Sequence, residues 1–390
     1  MRGDSGVGNL ARGVRGGGGG ALTRIGSLAV ALGLAACAGG DEPIRIGVAG
    51  PFSQPRGVSM ERSARLAAEE INARGGVRGR PLELVFADDS ASDSVAVRVA
   101  DEFGADPAVV AVIGHLNSGA SLAAARRYGT ARRPLAMITP SASSPALSGI
   151  SPYVFRACPS DLAHGAELAR VARERLAAQR AAVIFVNDDY GRGLRRSFVA
   201  EFTRLGGTVL EEDPILPRTG SLEPFLSRMR AAGGVDVLVL ATHREGAELA
   251  LRDRAALGLR WAVIGGDALS GVERLGSAAE GVRVSSAYLA DQRGERNGAF
   301  VAAYARAYGG DAVPDHRGAA TYDIVHLLAD ALEETGPDRR AVRDYLAGLG
   351  TRHPAFDGVT GAVAFDDQGE MPGRAVAMGI VRAGRLVSER

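Results

Sequence analysis

Three serines carry the first chemical signal in this chain. Ser118, Ser141 and Ser143 lie in two stretches, IGHLNSGAS from Ile113 and MITPSASSPAL from Met137. Each stretch follows a short apolar run, Val109–Ile113 and Leu135–Ile138. Both runs are continuous rather than alternating, as expected of parallel strands covered on both faces. Gly114 ends the first run, and Ser118 sits where a helix through Tyr128 begins. A helix start offers unpaired N–H groups and the positive end of a dipole, and together these suit a carboxylate. A single serine at such a place is more often only a cap or a turn residue. Two hydroxyl-bearing loops on adjacent strand ends share the carboxyl edge of one sheet, where open α/β folds bind ligands. The chemistry they offer together is the capture of one anion.

The elements that must position these loops alternate between strand and helix from Ile44 onward, the pattern of a parallel sheet with helices on both faces. Ile44–Ala49 and Leu82–Ala87 read as the first two strands. The helix between them carries Met60, Ala64, Ala67, Ala68 and Ile71 on one face and stops at Gly75-Gly76. A second helix presents Val95, Val99 and Phe103 inward. Pro152–Arg156 reads as a short strand leaving the first lobe, and Asp161–Ala178 as a helix. Strands follow at Ala181–Val186, Thr208–Glu212, Val235–Ala241 and Trp261–Gly265, with a helix at Leu222–Ala232. Two of these strands open onto loops with polar side chains, at His243 and at Asp267. Taken alone, Asp267 reads as the cap of a helix over Ala268–Gly276. Val282–Ser286 crosses back to the first lobe, which gains helices at Asn297–Tyr308, Gly318–Thr335 and Arg339–Leu349. After these helices, Gly361–Phe365 with Ala375–Arg382 reads as a final hairpin that returns to the second lobe.

Composition narrows the function classes. A formal net charge of +1 argues against a nucleic-acid or anionic-membrane surface. Six histidines, His115, His164, His243, His316, His326 and His353, stand singly with no Cys or acid at ligand spacing, so no metal site is expected. There is no G-x-S-x-G elbow, no H-x-x-x-H pair and no phosphate-binding Walker loop. Tyr190-Gly191-Arg192-Gly193 lacks the third glycine and the ribose-binding acid of a dinucleotide loop. No catalytic residue and no cofactor follow from these patterns.

The N-terminus reads as a leader. Arg2, Arg12, Arg15 and Arg24 precede the apolar run Ile25–Ala36, which is too short for a membrane anchor and ends in Leu34-Ala35-Ala36-Cys37. The box resembles the bacterial lipobox, in which Cys37 is acylated. Cys158 is then left alone, so no intramolecular disulfide is expected despite an oxidising compartment.

The two serine stretches, together with AAEEINARGGVRGRPLEL from Ala67, resemble the periplasmic binding proteins for branched-chain amino acids. These are the type I solute-binding proteins of ABC importers, and the resemblance runs from about Ile44 to the C-terminus. It implies two doubly wound parallel-sheet lobes joined by a three-segment hinge. The implied division is a signal peptide over 1–36 and a tether over 37–43. Lobe one takes 44–157 and 286–352, and lobe two takes 158–285 and 353–390. By the same resemblance Ser118 and Ser143, with Asn117 and Ala142 beside them, bind a carboxylate, while the Ser141 carbonyl and Asp267 take an ammonium. Tyr190 walls a side-chain pocket, and His243 stands where many members have a tyrosine whose main chain touches the carboxylate. Arg56 and Arg317 fall near positions that are aromatic in the branched-chain binders. Either they face solvent, or the ligand carries an additional acid. Some members have a disulfide in the first lobe's loops; Asn117 stands in place of one of its cysteines. The implied partners are an amino acid or related carboxylate and the membrane subunits of an importer. The implied state is a monomer, held outside the cytoplasm by lipid at Cys37. Coupling to a membrane sensor instead of an importer is left open, and an enzyme on a similar fold is the contrasting class.

Overall fold

The computed structural model describes residues 42–389. The leader, Cys37 and most of the expected tether lie outside these residues. The first sheet holds β1 (Ile44–Gly50), β2 (Leu82–Asp88), β3 (Val109–Ile113), β4 (Ala136–Thr139) and β5 (Val154–Arg156), ordered β2-β1-β3-β4-β5. All its pairings are parallel. Between the strands run α1 (Val58–Ala73), α2 (Asp93–Ala105) and α3 (Ser118–Thr130). Every residue of β3 is buried, because both faces are covered. Met60, Ala64, Ala67, Ala68 and Ile71 are all buried along α1, as their spacing predicts. Gly76 then takes φ +76°, and a Cβ there would fall 2.0 Å from the Arg80 carbonyl oxygen, so only glycine makes this turn.

The second lobe contributes α4 (Asp161–Arg170), β6 (Arg180–Val186), α5 (Asp189–Arg204), β7 (Thr208–Ile215), α6 (Glu223–Ala232), β8 (Val237–Ala241), α7 (Arg244–Ala256), β9 (Ala262–Gly265) and β10 (Arg283–Ser286). The chain then returns to lobe one as α8 (Glu295–Tyr308), α9 (His316–Thr335) and α10 (Arg339–Leu346). Helix α9 starts two residues before the predicted Gly318, because Asp315 accepts hydrogen bonds from the N–H groups of Arg317 and Gly318. Ile324, Leu328 and Leu332 of α9 pack with α1 on one face of the first sheet, while Phe103 and Tyr128 fill the other face.

The C-terminal hairpin is the main correction. Two hairpins form, β11 (Phe356–Gly358) with β12 (Gly361–Val363) and β13 (Ala377–Arg382) with β14 (Arg385–Ser388). Only the second joins the seven-stranded sheet of lobe two, ordered β14-β13-β10-β9-β8-β6-β7. Val363, Phe365 and Met371 pack into the core of lobe one, so the crossing lies between Met371 and Ala377 and not at 353. Burial of these apolar side chains holds the first hairpin against lobe one. The β5 strand likewise stays in the first sheet as its edge. The crossing that begins after it is tied to the last one: Arg156 N–H donates to the Gly369 carbonyl at 2.8 Å, and the Arg156 side chain is 1% exposed against Glu370. With the passage from β10 to α8, the lobes are joined three times.

Candidate ligand site

The carboxyl ends of both sheets face one cavity of about 690 Å³. On its lobe-one wall stand Asn117 and Ser118, at the start of α3. Asn117 takes the cap position without using its side chain as a cap, and its Oδ1 is buried with no hydrogen-bond partner. The Ser118 hydroxyl accepts from the Ser144 N–H at 3.2 Å, joining the two serine loops. A buried network holds these loops from behind. His115 bonds Asp89 at 2.7 Å and the Tyr128 hydroxyl at 3.2 Å, while its carbonyl accepts from Ser121 and Thr139. Thr139 Oγ1 in turn accepts from the Ala142 N–H at 3.0 Å.

Ser141 lines the cavity, whereas Ala142 and Ser143 stand behind the wall. Ala142 packs into the α2–α3 core, and the Ser143 carbonyl accepts from the Asp161 N–H at 2.8 Å. Ala142 and Ser143, expected beside the ligand, are not on the cavity wall, because the loop turns inward after Ser141 to bury Ala142. The Ser143 hydroxyl is nevertheless buried without a partner.

On the lobe-two wall Asp267 is 2% exposed and begins a short 3-10 turn to Leu269. The cap position of this turn is Gly266 rather than Asp267, so the capping alternative falls. Asp267 Oδ2 lies 3.4 Å from Nε2 of His316 and 3.9 Å from Nε2 of His164, with no hydrogen bond to either. Burial opposes its ionisation, but His164, His316, Arg317 and the Ala268 N–H outweigh burial and hold its pKa below the ordinary value. His316 is pushed down to about 4, first by burial and then by Arg317. His316 also spans the cleft, with Ser141 at 3.4 Å on one nitrogen and Ser270 at 3.2 Å on the other.

The remaining predicted residues also converge. Tyr190 stacks on His243 with ring centres 5.5 Å apart, and His243 bonds Asp188 at 2.7 Å. A Cβ on Gly266 would fall 2.3 Å from the Tyr190 hydroxyl, so glycine lets this ring lie against the Asp267 loop. Arg56 and Arg317 both line the cavity. Arg56 pairs at 3.2 Å with Glu245 of the other lobe, and Arg317 pairs at 2.7 Å with Asp315.

Sequence reasoning missed His164, His316 and Asp161. Both carboxylate oxygens of Asp161 are buried without a partner, and burial raises its pKa well above the ordinary value. No spacing signal marks these residues, since their neighbours are brought in by the fold. Cys158 is buried and free. Among the described residues no group of His, Cys, Asp and Glu could hold a metal ion.

Residues 43–385 match the family model described as periplasmic binding protein. The chain is 32% identical over 237 residues to an amino acid binding protein of Pseudomonas aeruginosa, covering 58% of this chain and 62% of that protein. It is 27% identical to the Leu/Ile/Val-binding protein of Escherichia coli, covering 85% and 89% of the two chains. A solved ABC transporter substrate-binding protein of Desulfitobacterium hafniense, in complex with Leu, is 32% identical with a TM-score of 0.76 and covers 89% of this chain and all of that one. With the two lobes, the triple crossing and the shared cleft, the match makes this chain a member of the periplasmic binding protein family, whose fold captures solutes.

Proposed function

We propose that the chain is an extracytoplasmic solute-binding protein that takes an α-amino acid between its lobes and delivers it to an ABC importer. The observation that carries this reading is Asp267, a buried carboxylate with an unpartnered oxygen on the cavity wall. A buried unpaired acceptor is costly, and a ligand ammonium would satisfy it. Asn117, Ser118 and the start of α3 lie on the opposite lobe and suit the ligand's carboxylate. The Ser141 carbonyl is assigned to the ammonium. Ser143 and Ala142 support the same loop, while Tyr190, His243, Arg56 and Arg317 wall the side-chain end. The names of the relatives, an amino acid binding protein and a Leu/Ile/Val-binding protein, favour the same ligand class. We assign no catalysis, cofactor or metal to the chain, and propose that it acts as a monomer.

The leader supports anchorage by lipid at Cys37, outside the described residues. No described helix is long and apolar enough to cross a membrane. Cys37→Ser should free the protein from membranes or leave it unprocessed; normal processing with full retention would end this part of the proposal. For the ligand, a thermal-shift screen of refolded protein over amino acids, dicarboxylates and aromatic acids is decisive, because a ligand of the native state raises the melting temperature. A rise with amino acids is expected. A rise only with acids lacking an amine would overturn the amino-acid assignment.

A further inference from the structure

Two guanidinium groups on the cavity wall use only part of their hydrogen-bonding capacity. Arg56 makes one bond among the described residues, Nη2 to Glu245, leaving Nε and Nη1 without a protein acceptor. Arg317 uses Nη1 on Asp315 and has no acceptor for Nε or Nη2. Burial lowers the pKa of Arg56 despite the opposing pull of Glu245, and the charges of Arg317 and Arg244 lower it further, so the three cations share one region. The acids nearby are already engaged. Asp315 caps α9 and holds Arg317, and Asp188 accepts from Gly191 N–H while pairing with His243. Glu245 pairs with Arg56 from a side chain that is 53% exposed. Glu273, Asp291 and Asp311 also line the cavity, yet Arg56 and Arg317 keep donors with no protein acceptor, whereas the unpartnered charged group at Asp267 is an acceptor.

An apolar ligand side chain would leave these guanidinium donors facing hydrocarbon, which is costly. An anion would instead accept from them in charge-assisted bonds of fork geometry. The cavity lies in the size range of sites that take ligands larger than a backbone amine and carboxylate alone. We infer that the ligand is an acidic amino acid, whose side-chain carboxylate is received by Arg56 and Arg317. The inference rests on the amino-acid reading above and narrows it. In this arrangement Glu245 competes with the ligand acid for Arg56 and also links the lobes.

The test compares acids with their neutral isosteres on refolded wild-type protein by titration calorimetry. L-glutamate, L-aspartate and L-2-aminoadipate are set against L-glutamine, L-asparagine and L-leucine. The best acid should bind at least about tenfold more tightly than its amide or leucine. Arg56→Gln and Arg317→Gln should each bring that ratio toward one, with Arg56→Lys retaining part of it. Glu245→Gln, which frees Arg56 and also weakens the contact between lobes, should raise the affinity of the acid relative to leucine; an unchanged ratio would mean that the Arg56–Glu245 pair serves closure alone and would count against the inference. If leucine or an amide binds as tightly as every acid, the inference is overturned and amino-acid capture stands. If no amino acid binds, both fall. The wild-type comparison needs no variant to fold.

Discussion

Asp267 Oδ2 lies 3.4 Å from Nε2 of His316, and the two side chains belong to different lobes. His316 also reaches Ser270 of lobe two at 3.2 Å. The acid assigned to the ligand's ammonium thus faces an imidazole delivered by the opposite lobe. The two walls of the cleft therefore meet at this acid.

Removing the Asp267 charge should weaken amino-acid binding. A charge-assisted bond in a water-poor cleft is worth roughly 1.5–3 kcal/mol, so Asp267→Asn should cost about ten- to a hundredfold in affinity by calorimetry. Ser118→Ala, which loses a neutral hydroxyl, should cost about tenfold or less. Without ligand, Asp267→Asn should melt below wild type, because the folded protein favours the charged carboxylate more than the unfolded chain does. Unchanged affinity would leave the ammonium without its proposed partner.

The pH dependence of stability should carry the mark of His316. Its folded pKa of about 4 is below the ordinary 6.5, so the unfolded chain binds a proton that the folded chain refuses. Stability is therefore complete above about pH 6.5 and declines as pH falls toward 4, by up to about 3 kcal/mol from this group. Asp267, Asp315, Arg317 and His164 all face it; His164, also lowered by burial, adds a decline of the same sign. Asp161, raised by burial, acts in the opposite sense. The comparison is therefore between wild type and His316→Gln: urea midpoints across this range should slope less steeply in the variant. Parallel slopes would refute the contribution.

The hinge has its own test. Arg156 donates to Glu370 at 2.9 Å through Nε, to the Ser144 carbonyl at 2.7 Å and to the Ser148 hydroxyl at 3.1 Å. Arg156→Met should lower stability by roughly 3 kcal/mol or more, since it strands Glu370 and a carbonyl that the guanidinium satisfied. Urea unfolding measures this, and a loss under about 1 kcal/mol would show that the pair is exchanged for water at little cost.

Ligand-driven closure should be visible in solution. Arg56–Glu245 and His316–Ser270 join the lobes across the cleft. Small-angle scattering should show a smaller radius of gyration at saturating ligand than in refolded, ligand-free protein. Identical curves would speak against a hinge.

By itself the sequence determined the alternation of strands and helices, the two serine loops at sheet edges and the convergence of Tyr190, His243 and Asp267 on the second edge. Those features depend on near neighbours: apolar runs, a 3.6-residue stripe such as Met60–Ile71, and a glycine stop such as Gly76. Tertiary structure alone decided which side chains share the cleft. Ser141 meets His316 from 175 positions away, and Arg156 meets Glu370 from 214. It also decided that Val363 and Phe365 enter lobe one, where their burial outweighs a pattern that fitted either lobe equally. Arg56 could have faced water or ligand on any local argument; the packing of two lobes turned it inward. Local propensity sets the elements, but the partner of a charged side chain depends on where distant segments are carried by the fold.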